Sequence, residues 1–329
     1  MAVLDASRLT FLNLAEKPSL GSFQDAVREG LSTQPKSIPS RFFYDRRGSE
    51  LFEAITKLPE YYLTRSELAL LSKNADEIIS RSGARPMLVE FGSGSGAKTR
   101  VLIEAALRAA PSARYVPIDI SRDFLRQSSE LLLARYPLLE ITAIAGEYSD
   151  AIAAIPASTG PRLLQFMGSN IGNFTPEEAD AFLSSVAHVM APQDRLLLGL
   201  DMKKSRNVIE AAYNDREGIT AQFNKNMLAR INRDLGGNFD LSSFEHHAPY
   251  AKGRIEMRLR SLASQKVRIA ALDQTWTFAN GEELLTEYSH KYTWRDVAGM
   301  AARSGLRVVK HWEHPTFRFA LVMLQGASP

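Results

Sequence analysis

Glu90-Phe-Gly-Ser-Gly-Ser-Gly-Ala-Lys-Thr99 stands where a short apolar run, Met87–Phe91, gives way to a helical pattern over Thr99–Ala110. Gly92, Ser93 and Gly94 let the backbone pass close to a ligand, and the helix opening behind them offers unpaired N–H groups. Together they predict a site for a nucleotide-like molecule. Asp119 ends a second apolar run, Arg114–Ile118, at the spacing where an acid meets ribose hydroxyls. A third run, Ile141–Ala145, leads into Gly146-Glu-Tyr148, an acid and an aromatic ring suited to hold a base by hydrogen bond and by stacking.

Three ligands compete for such a loop. A phosphate loop needs Gly-Lys-Thr in succession, and Ala97 puts Lys98 out of register for it. A dinucleotide fits better, because Gly92-x-Gly94-x-x-Ala97 followed by Asp119 matches the relaxed fingerprint of a nicotinamide-dependent oxidoreductase. The third reading is a class I methyltransferase, in which S-adenosylmethionine (SAM) sits on the same strand, glycine loop and helix. Context separates the last two. The chain has one glycine loop, a helical segment ahead of it, and a terminal pair of runs, Leu306–Trp312 and Phe317–Leu324, resembling the last two strands of class I methyltransferases.

The elements that must position these residues follow from the rhythm of the chain. Residues 1–85 predict helices only, with Val27 and Leu31 on one face and Leu68, Leu71, Ile78 and Ile79 on another. From Met87 onward, short apolar runs alternate with amphipathic helices, the pattern of an α/β fold with a doubly wound parallel sheet. Further strands are expected at Leu163–Met167 and Leu196–Leu200. Helices are expected at Asp123–Tyr136 and Pro176–Met190, the last capped by Thr175. After Asp201 the alternation stops. Helices near Val208–Tyr213 and Gln222–Leu235 and strands at Arg254–Arg260 and Gln265–Leu272 read as an insertion or second domain, in keeping with a length of 329 residues and roughly 100–200 residues per domain.

Composition narrows the function. Forty Lys+Arg against 37 Asp+Glu leave a net charge of +3, too small to predict nucleic acid or an anionic membrane as partner. The absence of cysteine removes disulfides, thiolate metal sites and cysteine nucleophiles. No apolar run reaches the roughly 18 residues of a membrane span, and the first residues lack a leader pattern, so a cytoplasmic protein is expected. His188, His290, His311 and His314 show no ligand spacing, and the neighbours His246 and His247 point to opposite faces of a strand. No metal is predicted.

Beyond the loop, several blocks stand in order along nearly the whole chain: Phe43-Tyr-Asp with Gly48-Ser-Glu-Leu-Phe52, Leu58-Pro-Glu-Tyr-Tyr-x-Thr-Arg65, Gly168-Ser-x-Ile-Gly-Asn173, Thr220-Ala-Gln-Phe-Asn224, Arg254-Ile-Glu-Met257 and Leu285-Thr-Glu-Tyr-Ser289. In that order they resemble the histidine-specific SAM-dependent methyltransferases, which make hercynine (histidine betaine) on the way to ergothioneine. The resemblance implies a substrate domain from residues 1–65 and 204–291, closing over a Rossmann-like SAM domain of residues 66–203 that residues 292–329 complete. It also implies an amino-acid site: Asn173 and Tyr213 at the α-carboxylate, Tyr44 near the α-amino group, Tyr61, Glu287 and Ser289 around the imidazole, and Met257 shaping the pocket. For SAM it implies Gly92, Ser93, Gly94, Lys98, Asp119, Glu147 and Tyr148, although Glu147-Tyr148 stands where the family commonly has Asp-Phe, and Asn170 where it has threonine.

Without the resemblance the same residues read differently. Tyrosines beside Pro and Gly are ordinary loop anchors, and Met257 on an alternating strand is core filler. With it, the chemistry is coherent. Methyl transfer from a sulfonium to an amine needs a neutral, well-aimed nitrogen rather than a metal or covalent nucleophile. Tyrosine faces suit the quaternary ammonium that repeated methylation makes. Glu287 can accept from one imidazole nitrogen while Ser289 serves the other. A methyltransferase for another amino acid or amine is the alternative within the same chemistry.

Overall fold

The computed structural model describes residues 8–14, 22–94, 96 and 98–327. The chain divides into two compact units, the first comprising the described residues of Met1–Lys17, Arg65–Met202 and Tyr292–Pro329, the second those of Pro18–Thr64 and Lys203–Lys291. Elements are numbered along the chain through both.

The first unit is built on an eight-stranded sheet in the order β1-β5-β4-β3-β6-β7-β15-β14. Its strands are β1 (Leu9–Asn13), β3 (Met87–Phe91), β4 (Ala113–Asp119), β5 (Leu139–Ala145), β6 (Arg162–Phe166), β7 (Arg195–Asp201), β14 (Leu306–Glu313) and β15 (Phe319–Gly326). β1, β3, β4, β5, β6 and β7 pair in parallel, while β15 runs antiparallel between β7 and β14. Strands buried on both faces have no need to alternate, and β3 is buried at every residue. The helices are α4 (Thr99–Ala109), α5 (Arg122–Arg135), α6 (Tyr148–Ala154), α7 (Pro176–Val189) and α10 (Trp294–Arg303), with α3 (Tyr62–Arg81) contributing from Arg65 onward. On one face Val89, Phe91, Leu164, Phe166, Leu183 and Val186 form part of a continuous core. Thr175 caps α7 as its sequence predicts: its hydroxyl accepts from the Glu178 N–H at 3.2 Å, and Glu178 reaches back to the Thr175 N–H at 2.8 Å.

The walk across the sheet reverses at β3, with β4 and β5 on one side and β6 and β7 on the other. The glycine loop leaves the carboxyl end of β3, so it lies at the topological switch point where such folds bind their ligands.

The first 85 residues are not purely helical. Leu9–Asn13 pairs in parallel with Ile141–Ala145 as the outermost strand of the sheet, so these residues belong with the first unit rather than with the substrate half to which 1–65 was assigned. Five residues at a sheet edge carry little periodicity of their own. Their strand is made by the partner, Leu9 opposite Ile141 through Asn13 opposite Ala145.

The second unit holds β2 (Lys36–Ser37), β8 (Phe244–His247), β9 (Tyr250–Ala251), β10 (Arg254–Ser261) and β13 (Glu283–His290) in one sheet, with β11 (Gln265–Ile269) and β12 (Gln274–Phe278) as a separate hairpin. Lys36–Ser37 is a second strand the early helical pattern concealed, added in parallel to β13. The expected strand at Gln265–Leu272 ends at Ile269 and becomes a 3-10 turn over Ala270–Leu272. Helices α1 (Phe23–Ser32), α2 (Arg46–Ile55), α8 (Arg206–Ala211) and α9 (Ile219–Leu235) complete the unit.

Candidate active site

In the first unit the loop after β3 is held from below by Glu90. Burial pushes this carboxyl up to about 7, against the hydroxyls of Thr99 and Tyr115 that donate to it. Those contacts tie the end of β3 to the start of α4 and to β4. The loop above turns through left-handed conformations, Gly92 at φ 74° and Gly94 at φ 49°. At Gly92 a side chain would also collide, since a Cβ there lies 2.7 Å from the Tyr148 hydroxyl oxygen.

Asp119, at the end of β4, accepts from the Gly94 N–H at 3.0 Å through one oxygen and from the Ser121 N–H at 2.9 Å through the other. Burial raises its pKa, and these backbone donors oppose the shift. Each oxygen retains a lone pair, enough to accept from two adjacent hydroxyls. Beside it the buried Ser93 hydroxyl has no hydrogen-bond partner among the described residues. An unpaired buried hydroxyl, a glycine turn that excludes side chains and an acid with spare acceptor capacity fit the ribose and amino-acid portion of SAM.

Three residues assigned to that ligand have further work in the structure. Lys98 donates to Glu67 at 2.7 Å, and the same Glu67 carboxylate, fully buried, accepts the Gly168 N–H at 2.8 and 3.0 Å. The ammonium thus braces the start of α4 against the turn after β6. Tyr148 opens α6 with its ring edge-on to Phe91 at 5.9 Å and Phe166 at 5.5 Å, in the aromatic part of the core. Glu147 is the N-cap residue of the same helix. Asn173 ends a 3-10 turn, Asn170–Asn173, entered through Gly168 and Ser169, both at positive φ.

Sequence reasoning passed over Glu67, although a signal existed: it stands three and four residues before Leu70 and Leu71, on the buried side of α3. Gly199 on β7 makes room for it, because a Cβ at that position would lie 1.9 Å from Glu67 Oε1. Gly199→Ala is therefore expected to lower the midpoint of thermal unfolding by roughly 5 °C or more. A midpoint within 1 °C of wild type, about the error of such a melt, would show that Glu67 does not occupy that space.

The second unit brings together six of the seven residues assigned to the amino acid; Asn173 lies in the first. Tyr44, Tyr61 and Tyr213 are linked by edge contacts, Tyr44 to Phe52 at 5.7 Å, Phe52 to Tyr61 at 6.3 Å, and Tyr61 to Tyr213 at 6.3 Å. Asp45 fixes the loop that carries Tyr44, capping α2 through the Gly48 N–H at 2.7 Å and accepting from Asn226 at 2.9 Å and Arg233 at 2.8 Å. Gly48 is needed there, since a Cβ would lie 1.7 Å from the Phe43 carbonyl oxygen.

Glu287 and Ser289 lie two apart on β13, hence on one face, and Met257 pairs directly with Glu287 across the ladder. Lys291 was not foreseen. Only 3% exposed, it donates to Ser289 Oγ at 2.8 Å and Tyr213 Oη at 3.1 Å, and those two hydroxyls are 2.7 Å apart. Burial pushes the Glu287 carboxyl up to about 7, with the Lys291 charge pulling the other way. No hydrogen-bond donor among the described residues is paired with that carboxyl. A desolvated acid left with acceptor capacity, two residues from a hydroxyl held by an ammonium, is prepared for a ligand carrying an N–H.

Residues 23–326 match the family model described as "Histidine-specific methyltransferase, SAM-dependent". A histidine N-alpha-methyltransferase of Mycolicibacterium smegmatis is 44% identical over 310 residues, covering 94% of this chain and 96% of the relative. Its counterpart in Mycobacterium tuberculosis is 43% identical, covering 90% and 92%. Ergothioneine biosynthesis protein 1 of Neurospora crassa is 29% identical over 85% of this chain and 36% of its own length. With nearly the whole chain matched and a glycine loop that fits SAM, the protein belongs to the SAM-dependent, histidine-specific methyltransferase family.

Proposed function

We propose that this enzyme transfers methyl groups from SAM to the α-nitrogen of free L-histidine, three times in succession, releasing S-adenosylhomocysteine and hercynine on the route to ergothioneine. The observation that carries the choice of substrate is the Glu287 carboxyl: raised to about 7 by desolvation, without a donor among the described residues, and two residues from Ser289. An imidazole N–H supplies the missing donor, and Ser289 reads the other ring nitrogen. Met257, buried opposite Glu287, limits the size of the side chain that fits.

SAM, when bound, supplies a methyl group on a sulfonium that leaves as the nitrogen lone pair forms the new N–C bond, the S–C bonding pair going to sulfur. The residues of the chain bind and aim. Gly92, Ser93, Gly94 and Asp119 hold the ribose and amino-acid portion, with Lys98 keeping the loop in shape through Glu67. Glu147 and Tyr148 stand at the end of β5 where the base would lie. In the second unit Tyr213 takes the α-carboxylate, and the Tyr44 hydroxyl orients the α-nitrogen.

The substrate ammonium must lose a proton before the first transfer, and the mono- and dimethylated ammonium must each lose one before the next. Three protons therefore leave per hercynine. An unperturbed Tyr titrates near pH 10, so Tyr44 serves as an acceptor, directly or through water, rather than as a free phenolate. The linked rings of Tyr44, Tyr61 and Tyr213 present the negative faces that a quaternary ammonium prefers.

Incubation of the purified protein with SAM and each standard amino acid separately, followed by mass spectrometry, tests this reading. Histidine alone is expected to gain one, two and three methyl groups. Product from a different amino acid, with none from histidine, would overturn the roles given to Glu287, Ser289 and Met257.

A further inference from the structure

Resting on that reading, a buried polar network behind the pocket gives a role to a sequence block with no assignment so far, Thr220-Ala-Gln-Phe-Asn224. β10 and β13 are out of simple register at one place: Met257 pairs with Glu287 and Arg258 with Leu285, so Thr286 is an extra residue in β13. Such a bulge re-aims the side chains on either side of it, and here Glu287 is the next residue. Left alone, a bulge leaves backbone groups unsatisfied and the strand free to slip.

The chain pins this one with side chains. The single Thr286 hydroxyl proton is shared between Asn224 Oδ1 at 2.7 Å and the Met257 carbonyl at 3.0 Å, while Asn224 Nδ2 donates to the Arg258 carbonyl at 3.0 Å and to His246 Nδ1 at 2.9 Å. The Arg258 carbonyl only accepts, so the amide orientation of Asn224 is fixed. His246 Nδ1 must then accept, leaving its Nε2–H to donate to the Tyr213 carbonyl at 2.8 Å. Asn224 and Thr286 are 0% and 1% exposed. The network spans α9, β8, β10 and β13 and ends on two residues of the pocket, Met257 and Tyr213, with Glu287 adjoining the bulge itself.

We propose that Asn224 and Thr286 are positioning residues that lock the bulge, set the aim of Glu287 and so determine selectivity for an imidazole side chain. Both lie in the second unit, and their effect falls on histidine. Thr286→Val keeps the shape and removes the hydroxyl; Thr286→Ser keeps the hydroxyl.

The test is steady-state methylation by wild type and both variants with histidine and with phenylalanine, together with SAM affinity by calorimetry. Thr286→Val is expected to raise KM for histidine roughly tenfold with kcat within about twofold. SAM affinity should be unchanged and discrimination against phenylalanine reduced, and Thr286→Ser should recover the wild-type KM within about twofold. If Thr286→Val does not fold, Asn224→Ser is expected to give the same KM change. Wild-type KM in Thr286→Val, or equal defects in the valine and serine variants, overturns the proposal while leaving the assigned function standing. A wild-type protein that methylates no histidine overturns both.

Discussion

Replacing Glu287 with alanine is expected to lower kcat/KM for histidine by roughly 10- to 150-fold, the worth of a hydrogen bond to a charged group, and to narrow the margin over phenylalanine and other aromatic amino acids. The reason lies in what the pocket does to a wrong substrate. An apolar side chain covers the carboxyl without offering a donor, so an acid already held at about 7 by burial is desolvated further and gains nothing. Alanine removes that exclusion together with the attraction. Initial rates with histidine and phenylalanine decide it: unchanged histidine kinetics would remove Glu287 from the pocket.

The same carboxyl has a signature in stability. Its folded value, about 7, lies above the ordinary 4.5, so between those pH values the folded protein keeps a proton that the unfolded chain has released. This group therefore costs stability as pH rises through that window. In the absence of histidine, Glu287→Gln is expected to flatten that part of the melting-temperature profile. Histidine added to wild type should restore stability most at the upper end, where the carboxylate is charged. A profile of Glu287→Gln parallel to wild type would contradict the burial argument.

Asp119→Ala is expected to weaken SAM binding by roughly 100-fold, because one substitution removes the ribose acceptor and strands two backbone donors, the N–H groups of Gly94 and Ser121. Asp119→Asn should rescue little. Whichever way the amide turns, its NH2 faces one of those two N–H groups, and the loop must shift to avoid it. Calorimetric titration with SAM reads both variants. An asparagine variant with wild-type affinity would show that the carboxylate does not organise the glycine turn.

The contrast between those two sites also describes what the sequence makes legible. Asp119 is announced locally, by a glycine turn and a strand end at standard spacing, and the βα alternation from Met87 to Leu200 names the fold because each strand there is a separate apolar run. Leu9–Asn13 is not announced, since five residues become a strand only by lying against Ile141–Ala145. Tyr148 reads as a base-stacking ring because of its position after β5, yet its ring is shared with Phe91 and Phe166, a packing that depends on three strands at once. Glu287 is invisible to spacing, and the family resemblance alone singles it out. Its environment comes from a bulge at Thr286 and from a lysine four residues on, whose burial no local pattern reveals.

β15, the last of the described strands, lies inside the sheet, between β7 and β14. On the ribosome the first unit therefore stays open along the edge of β7 until β15 has emerged. The segments of the second unit, Pro18–Thr64 and Lys203–Lys291, are both complete earlier. The half that reads the amino acid is thus free to fold first, and a polypeptide released short of Phe319 would carry an unpaired, fully apolar strand edge at Leu196–Leu200, a target for self-association and for chaperones.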